Sequence, residues 1–293
     1  MIREKFNYIL KLLCLSVLLF SCQKKEKTYF ETIASNDVKL SSPKPGEWRY
    51  KRDEKYQTFE DFEKSKKIIP IKDRNIIYLQ PIGEFNDLQK KQIKLTKEYL
   101  TSFFQLETRV LTPLSNKIFP KSSKRIKDEH EQVLAGYVLN DVLMDRKPKD
   151  AVVLMGITEK DLFPKPEWNY VFGMASYGNG VGVTSMYRFA NGELTESNFS
   201  KSLERLLKTS SHEIGHMFGI SHCLNANCVM NGTNHLPETD THFARACSLC
   251  QQKLYSSIKY DNTKRLIALK NFFEKQHLNS EIARAEEDLK LLK

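Results

Sequence analysis

Residues 211–222 read Ser-His-Glu-Ile-Gly-His-Met-Phe-Gly-Ile-Ser-His and close a long amphipathic stretch, 199–219, with helical spacing of its apolar residues. Residues four apart on a helix share a face, so His212 and His216 aim two imidazoles at one spot. Glu213 lies one residue along and can reach a water held at that spot without being a ligand. Zinc at a reactive site takes three protein ligands and keeps an open position. His222 supplies the third, and Gly219 explains how the chain gets there. A glycine just past a helix end takes the left-handed turn without steric cost. His-Glu-x-x-His alone arises by chance in about one chain in a hundred, and Gly219 with His222 at fixed offsets lowers that by roughly three orders of magnitude. A helix with two incidental histidines is therefore set aside.

Upstream, the chain alternates strands and helices. Residues 75–80 and 108–111 read as strands, 86–104 and 134–143 as helices. Residues 151–156 are a continuous apolar run bounded by turn signals, as expected of a strand buried on both faces. Residues 169–175 and 181–189 read as two more strands. This order predicts an α/β domain with a mixed, twisted sheet ahead of the histidine helix.

Downstream, Cys223 follows His222 directly, Cys228 and Met230 come soon after, and Cys247 and Cys250 form a Cys-x-x-Cys pair. Together with the histidine motif, this arrangement closely resembles the archaemetzincins, a branch of the metzincin peptidases. The resemblance covers roughly residues 70–260, including the strand ending Leu79-Gln80-Pro81-Ile82-Gly83. It implies a metzincin-like zincin domain and a zinc metallopeptidase in which Glu213 is the general base. It further implies a second zinc, structural, on the four cysteines, and a methionine turn at Met230 beneath the catalytic metal. Some metzincins place a tyrosine ligand two residues beyond that methionine; Gly232 stands there in this chain. The resemblance also places the substrate peptide along a sheet edge at Phe172, Gly173, Met174 and Ala175. By their own chemistry the cysteines leave two readings. Soft thiolates in this spacing suit a closed tetrahedral zinc, whereas an oxidising compartment would make disulfides. Small-ring Cys-x-x-Cys disulfides are strained, which favours zinc.

The N-terminus points to such a compartment. Arg3, Lys5 and Lys11 precede and flank a short apolar run, 12–20, too short to span a bilayer. Leu19-Phe20-Ser21-Cys22, followed by a polar run, looks like a bacterial lipobox. It implies removal of residues 1–21 and lipidation of Cys22, making an extracytoplasmic, membrane-anchored lipoprotein. An ordinary signal peptide is the alternative. Residues 22–69, rich in Lys and Glu with Ser41-Ser42-Pro43-Lys44-Pro45-Gly46, read as a polar tether holding a domain at 70–260 off the lipid. Residues 263–276 and 280–292 have apolar positions at helical spacing, giving a C-terminal helical extension, 261–293, that either packs on the domain or projects as a partner surface.

The chain of 293 residues carries 46 Lys and Arg against 36 Asp and Glu, a net charge of +10. The lysines are scattered and form no aromatic-studded patch or nucleic-acid motif, so no nucleic-acid partner is expected. The expected partners are a peptide or protein substrate and the membrane. Two other functions compete with a broad peptidase: a zinc-containing surface lipoprotein that only binds, and a processing factor for a single partner protein. His130, His235, His242 and His277 read as ordinary histidines.

Overall fold

The continuous apolar runs become the centre of a five-stranded sheet. In chain order, the computed structural model, which describes residues 28–292, contains α1 (Tyr29–Ile33), α2 (Phe59–Lys64), β1 (Ile76–Ile82), α3 (Asp87–Phe104) and β2 (Thr108–Val110). There follow β3 (Lys124–Lys127), β4 (His130–Leu134), α4 (Ala135–Tyr137, continued by a wide helical turn Val138–Leu143), β5 (Ala151–Thr158), β6 (Asp161–Phe163), β7 (Gly173–Ser176) and β8 (Val181–Ser185). Then come α5 (Phe199–Met217), α6 (Leu236–Thr241), α7 (Ser248–Ile258), α8 (Asn262–Lys275) and α9 (Asn279–Lys290). The lipobox and Cys22 lie outside the described residues. Among the described residues no helix is long and apolar enough to cross a membrane.

The sheet order is β2-β1-β5-β8-β7. The first four strands are parallel, and β7 pairs antiparallel with β8, with Ala175 opposite Gly182. The mixed sheet expected from the sequence is therefore present, with β7 as its edge. Every residue of β1 and β5 is buried because the sheet is covered on both faces. Ile77, Leu79, Val153 and Met155 pack with α3 and α5, and Ile76, Tyr78 and Leu154 with Val138, Leu139 and Val142. A second sheet, β3-β4-β6, was not anticipated from the sequence.

Of the two placements expected for the C-terminal extension, packing on the domain is the one observed. The C-terminal helices belong to the main core: Phe272 and Phe273 lie 5.7 and 6.1 Å, ring to ring, from Tyr99 of α3. Arg265, 2% exposed, donates to the Phe103 carbonyl at 2.6 Å.

The described part of the presumed tether, 28–69, is laid along the domain as a strap. Ile33 and Phe62 are fully buried. Asp37 accepts from Arg245 at 2.6 Å and from the Ser248 hydroxyl at 2.6 Å. The Trp48 amide donates to Glu238 at 2.8 Å. A Lys- and Glu-rich stretch reads as solvated, but here many of its polar groups have partners on the domain.

Candidate active site and metal centres

Helix α5 lies on the sheet through Leu203, Leu206, Leu207 and Ile214, which turns its 212/216 stripe toward a cleft beside β7. The helix ends as Gly219 predicted. Gly219 has φ +91°, its amide donates to the His216 carbonyl at 2.9 Å, and the Ile220 amide donates to the Gly215 carbonyl at 3.1 Å. These two bonds form a Schellman cap and reverse the chain. His222 thereby returns beneath the helix, and one ring nitrogen from each of His212, His216 and His222 lies within 4.8 Å of the others. The Nε2 atoms of His212 and His216 converge to 2.9 Å.

The far nitrogens decide what the near ones can do. Nδ1 of His212 faces the Val229 carbonyl at 2.8 Å, Nδ1 of His216 the Ile220 carbonyl at 2.6 Å, and Nδ1 of His222 the Glu54 carboxylate at 2.6 Å. A carbonyl or an ionised carboxylate only accepts, so each Nδ1 carries a proton, and in a neutral ring that leaves the lone pair on Nε2. Burial, reinforced by the neighbouring histidines, drives His212 down to about 3 and His216 well below the usual imidazole range. His212 and His216 are thus neutral imidazoles with lone pairs directed inward, and with His222 they make the three-nitrogen donor set zinc requires.

Glu213 is 6% exposed, and burial pushes its carboxyl up to about 8. Its carboxylate rests against β7: a Cβ added to Gly173 would stand 2.6 Å from Glu213 Oε1. Met230 lies directly beneath α5, its sulfur occupying the space a side chain on Gly215 would need. A glycine inside a helix costs roughly 1 kcal/mol relative to alanine, and here it admits the methionine.

Cys223, Cys228, Cys247 and Cys250 are buried, unlinked, and have their sulfurs within 4.8 Å of one another. The Cys223 and Cys247 sulfurs are 3.6 Å apart, far beyond an S–S bond. Backbone amides of Met230 and Cys247 point at the Cys228 sulfur at 3.4 and 3.2 Å. Such amides stabilise thiolate charge, which suits a four-sulfur metal site.

Similarity to known proteins follows the same residues. A family model described as peptidase family M54 matches residues 121–256, a span that holds both clusters. Archaemetzincin-2 of Rattus norvegicus is 33% identical over 256 residues, covering 76% of this chain and 71% of the relative. This chain belongs to the archaemetzincins. It is a zinc metallopeptidase, a hydrolase of peptide or protein substrates, and the binding-only alternative is not favoured. Archaemetzincin of Pyrococcus furiosus is 31% identical over 185 residues, 62% of this chain and 93% of the relative. The archaemetzincin structure from Methanopyrus kandleri covers 65% of this chain and 99% of its own, with TM-score 0.51 and 23% identity. That likeness supports the zincin-like fold.

Several residues of this archaemetzincin site were not singled out from sequence. Tyr177, just past β7, places its hydroxyl 2.8 Å from His216 Nδ1. Asn231 donates to the Cys223 and Ala226 carbonyls at 2.7 and 3.0 Å and accepts from the Cys228 amide at 2.7 Å, tying the two cysteine turns together. Its Oδ1 also lies 2.8 Å from His242 Nδ1, so His242 has a structural partner. Gly232 is covered by Trp48 of the strap, whose indole atoms would stand 2.5 Å from an added Cβ. Trp48 sits edge-on to His222 at 4.9 Å. Arg52 lies 3.7 Å over Trp48 and 4.6 Å over Trp168, joining the strap to the loop before β7. The resulting cleft, about 890 Å³, includes the three histidines, Glu213 and the 172–175 segment.

Proposed function

We propose that His212, His216 and His222 hold the catalytic zinc and that Glu213 is the general base of peptide hydrolysis. The convergence of three imidazoles beside one buried carboxylate carries this reading. Zinc held there supplies Lewis acidity toward the scissile carbonyl and acidifies water. Glu213 takes the proton of the attacking water and later delivers it to the leaving amine. Gly173, lacking a side chain, leaves room for the Glu213 carboxylate at the sheet edge. A second, structural zinc belongs on Cys223, Cys228, Cys247 and Cys250, with no protein ligand position left open. Incubating the soluble chain from residue 23 with a peptide library tests the catalytic reading. Cleavage that stops with chelator and returns with zinc is expected, and cleavage indifferent to chelation would overturn it.

The substrate lies as an added strand against β7, the one edge of the large sheet that borders the cleft. The Ser185 amide donates to the Phe172 carbonyl, so in this antiparallel pair Phe172 and Met174 bond to β8 and the Ala175 amide faces the open edge. Proline there removes that donor, so Ala175→Pro should lower kcat/KM about tenfold, the worth of roughly one to two hydrogen bonds, while leaving zinc content unchanged. Unchanged kinetics would place the peptide elsewhere.

Cys22 anchors the protein to an extracytoplasmic membrane face through lipid, a reading supported by Leu19-Phe20-Ser21-Cys22. Labelled fatty acid should enter the wild-type chain and not Cys22→Ser; equal labelling of both would contradict the anchor.

A further inference from the structure

We infer that the N-terminal strap completes the active site, with Glu54 as the positioning residue for the third metal ligand. The inference rests on the proposed zinc site at the three histidines. Two of those histidines ride on α5, where backbone hydrogen bonds fix them, and their Nδ1 partners are carbonyls of the same domain, Val229 and Ile220. His222 is different. It sits on the turn after the Schellman cap, outside any helix or strand, and its Nδ1 partner is Glu54 of the strap, 168 positions away in sequence.

The strap holds that turn at more than one point. The Gln57 side chain donates to the Gly219 carbonyl at 3.0 Å and accepts from the Ser221 amide at 3.1 Å, bracketing the reversal that delivers His222. Lys253 of α7 donates to the Gln57 carbonyl at 2.6 Å and so fixes Gln57 from behind. Trp48 covers Gly232 and meets the His222 ring edge-on. Glu54 lies between these contacts, and its second oxygen, Oε2, is buried, with the Trp48 indole beside the carboxylate. The carboxylate is therefore directed at His222 rather than at solvent.

The chemistry of such a contact is general. A carboxylate on the far nitrogen of a ligating imidazole fixes its tautomer, holds its plane, and makes the near nitrogen more basic.

Zinc affinity of the chelator-accessible site, measured by competition in the full-length chain, tests this. So does the visible spectrum of the cobalt-substituted protein, which reports the ligand field directly. Glu54→Ala should weaken zinc binding about 10- to 100-fold and shift the cobalt bands. Glu54→Gln, which keeps an acceptor, should recover most of the affinity, and it serves as the test should the alanine variant misfold. Phe30→Ala loosens the strap at α1, where the ring meets Tyr255 of α7 at 5.4 Å, and it should leave the cobalt spectrum as in wild type. Wild-type affinity and spectrum in both Glu54 variants would overturn the inference. Equal losses in Glu54→Ala and Phe30→Ala would also overturn it, by assigning the effect to strap packing. If the wild-type chain held no chelator-removable zinc, or one indifferent to His222→Ala, the proposed metal site would fall first. Zinc lost in His222→Ala but unchanged in Glu54→Ala would sink this inference alone.

Discussion

Glu213→Gln should lower peptide turnover on the order of 10²–10⁴-fold, the usual contribution of a positioned general base, while zinc content stays at the wild-type level. The two outcomes separate because Glu213 does not belong to the histidine cluster: the three converging nitrogens come from His212, His216 and His222. Gln has the shape of Glu and fits the same slot between α5 and Gly173, so the fold has no reason to change. Its stability should be equal or higher. A carboxylate at 6% exposure loses most of its hydration, and replacing it by a neutral amide removes that penalty. Steady-state kinetics and metal analysis on one preparation, with a thermal melt beside them, check all three statements. Full activity in the variant would refute the assigned mechanism, and loss of zinc would mean that the carboxylate contributes to the metal site after all.

The parts of this protein that were legible in the sequence are those encoded by short-range spacing. His212, His216, Gly219 and His222 lie within one helix and its cap, where four-residue periodicity and one φ-permissive residue determine geometry. Residues 151–156 were legible because a strand covered on both faces must be apolar throughout. The C-terminal helices also followed from their periodicity, with observed bounds within a few residues of those expected. What the sequence concealed depends on distant partners. Asp37 reads as one more charge in a polar run until Arg245 and Ser248 are seen opposite it. Glu54 carries no signal of its own, because its meaning comes from His222. The small sheet β3-β4-β6 is built from short, largely polar segments such as Lys124–Lys127, which carry no sustained apolar alternation. Gly215 and Gly232 look like ordinary helix and loop glycines, yet each makes room for a specific side chain, Met230 and Trp48. A glycine whose purpose is another residue's volume cannot be recognised before the fold brings the two together.

Cys250→Ser should destabilise the whole domain and weaken metal binding at the histidines as well. Its sulfur is one of four buried donors, and a closed site that loses a thiolate retains only three ligands for a metal whose binding is itself folding free energy. In small zinc-dependent folds that free energy is roughly 10–16 kcal/mol. This domain has a large core besides, so a loss on the order of 4 kcal/mol is the expectation here. For a chain of this size that corresponds to a fall in melting temperature of roughly 10 °C. The coupling to catalysis is covalent and short. Cys223 adjoins His222, and the Cys223 amide donates to the Met230 carbonyl at 2.7 Å, so the cysteine cluster, the third histidine and the methionine turn form one unit. Freeing Cys250 loosens that unit while leaving His212 and His216 on their helix, so catalytic zinc should bind more weakly without disappearing. Elemental analysis with thiol counting after denaturation in chelator decides the matter for the chain from residue 23. The wild type should give two zinc ions and four free thiols, and Cys250→Ser should give three thiols with the slowly exchanging zinc lost. One zinc and no free thiols in the wild type would mean that disulfides occupy the cluster, and the structural-metal assignment would then fail.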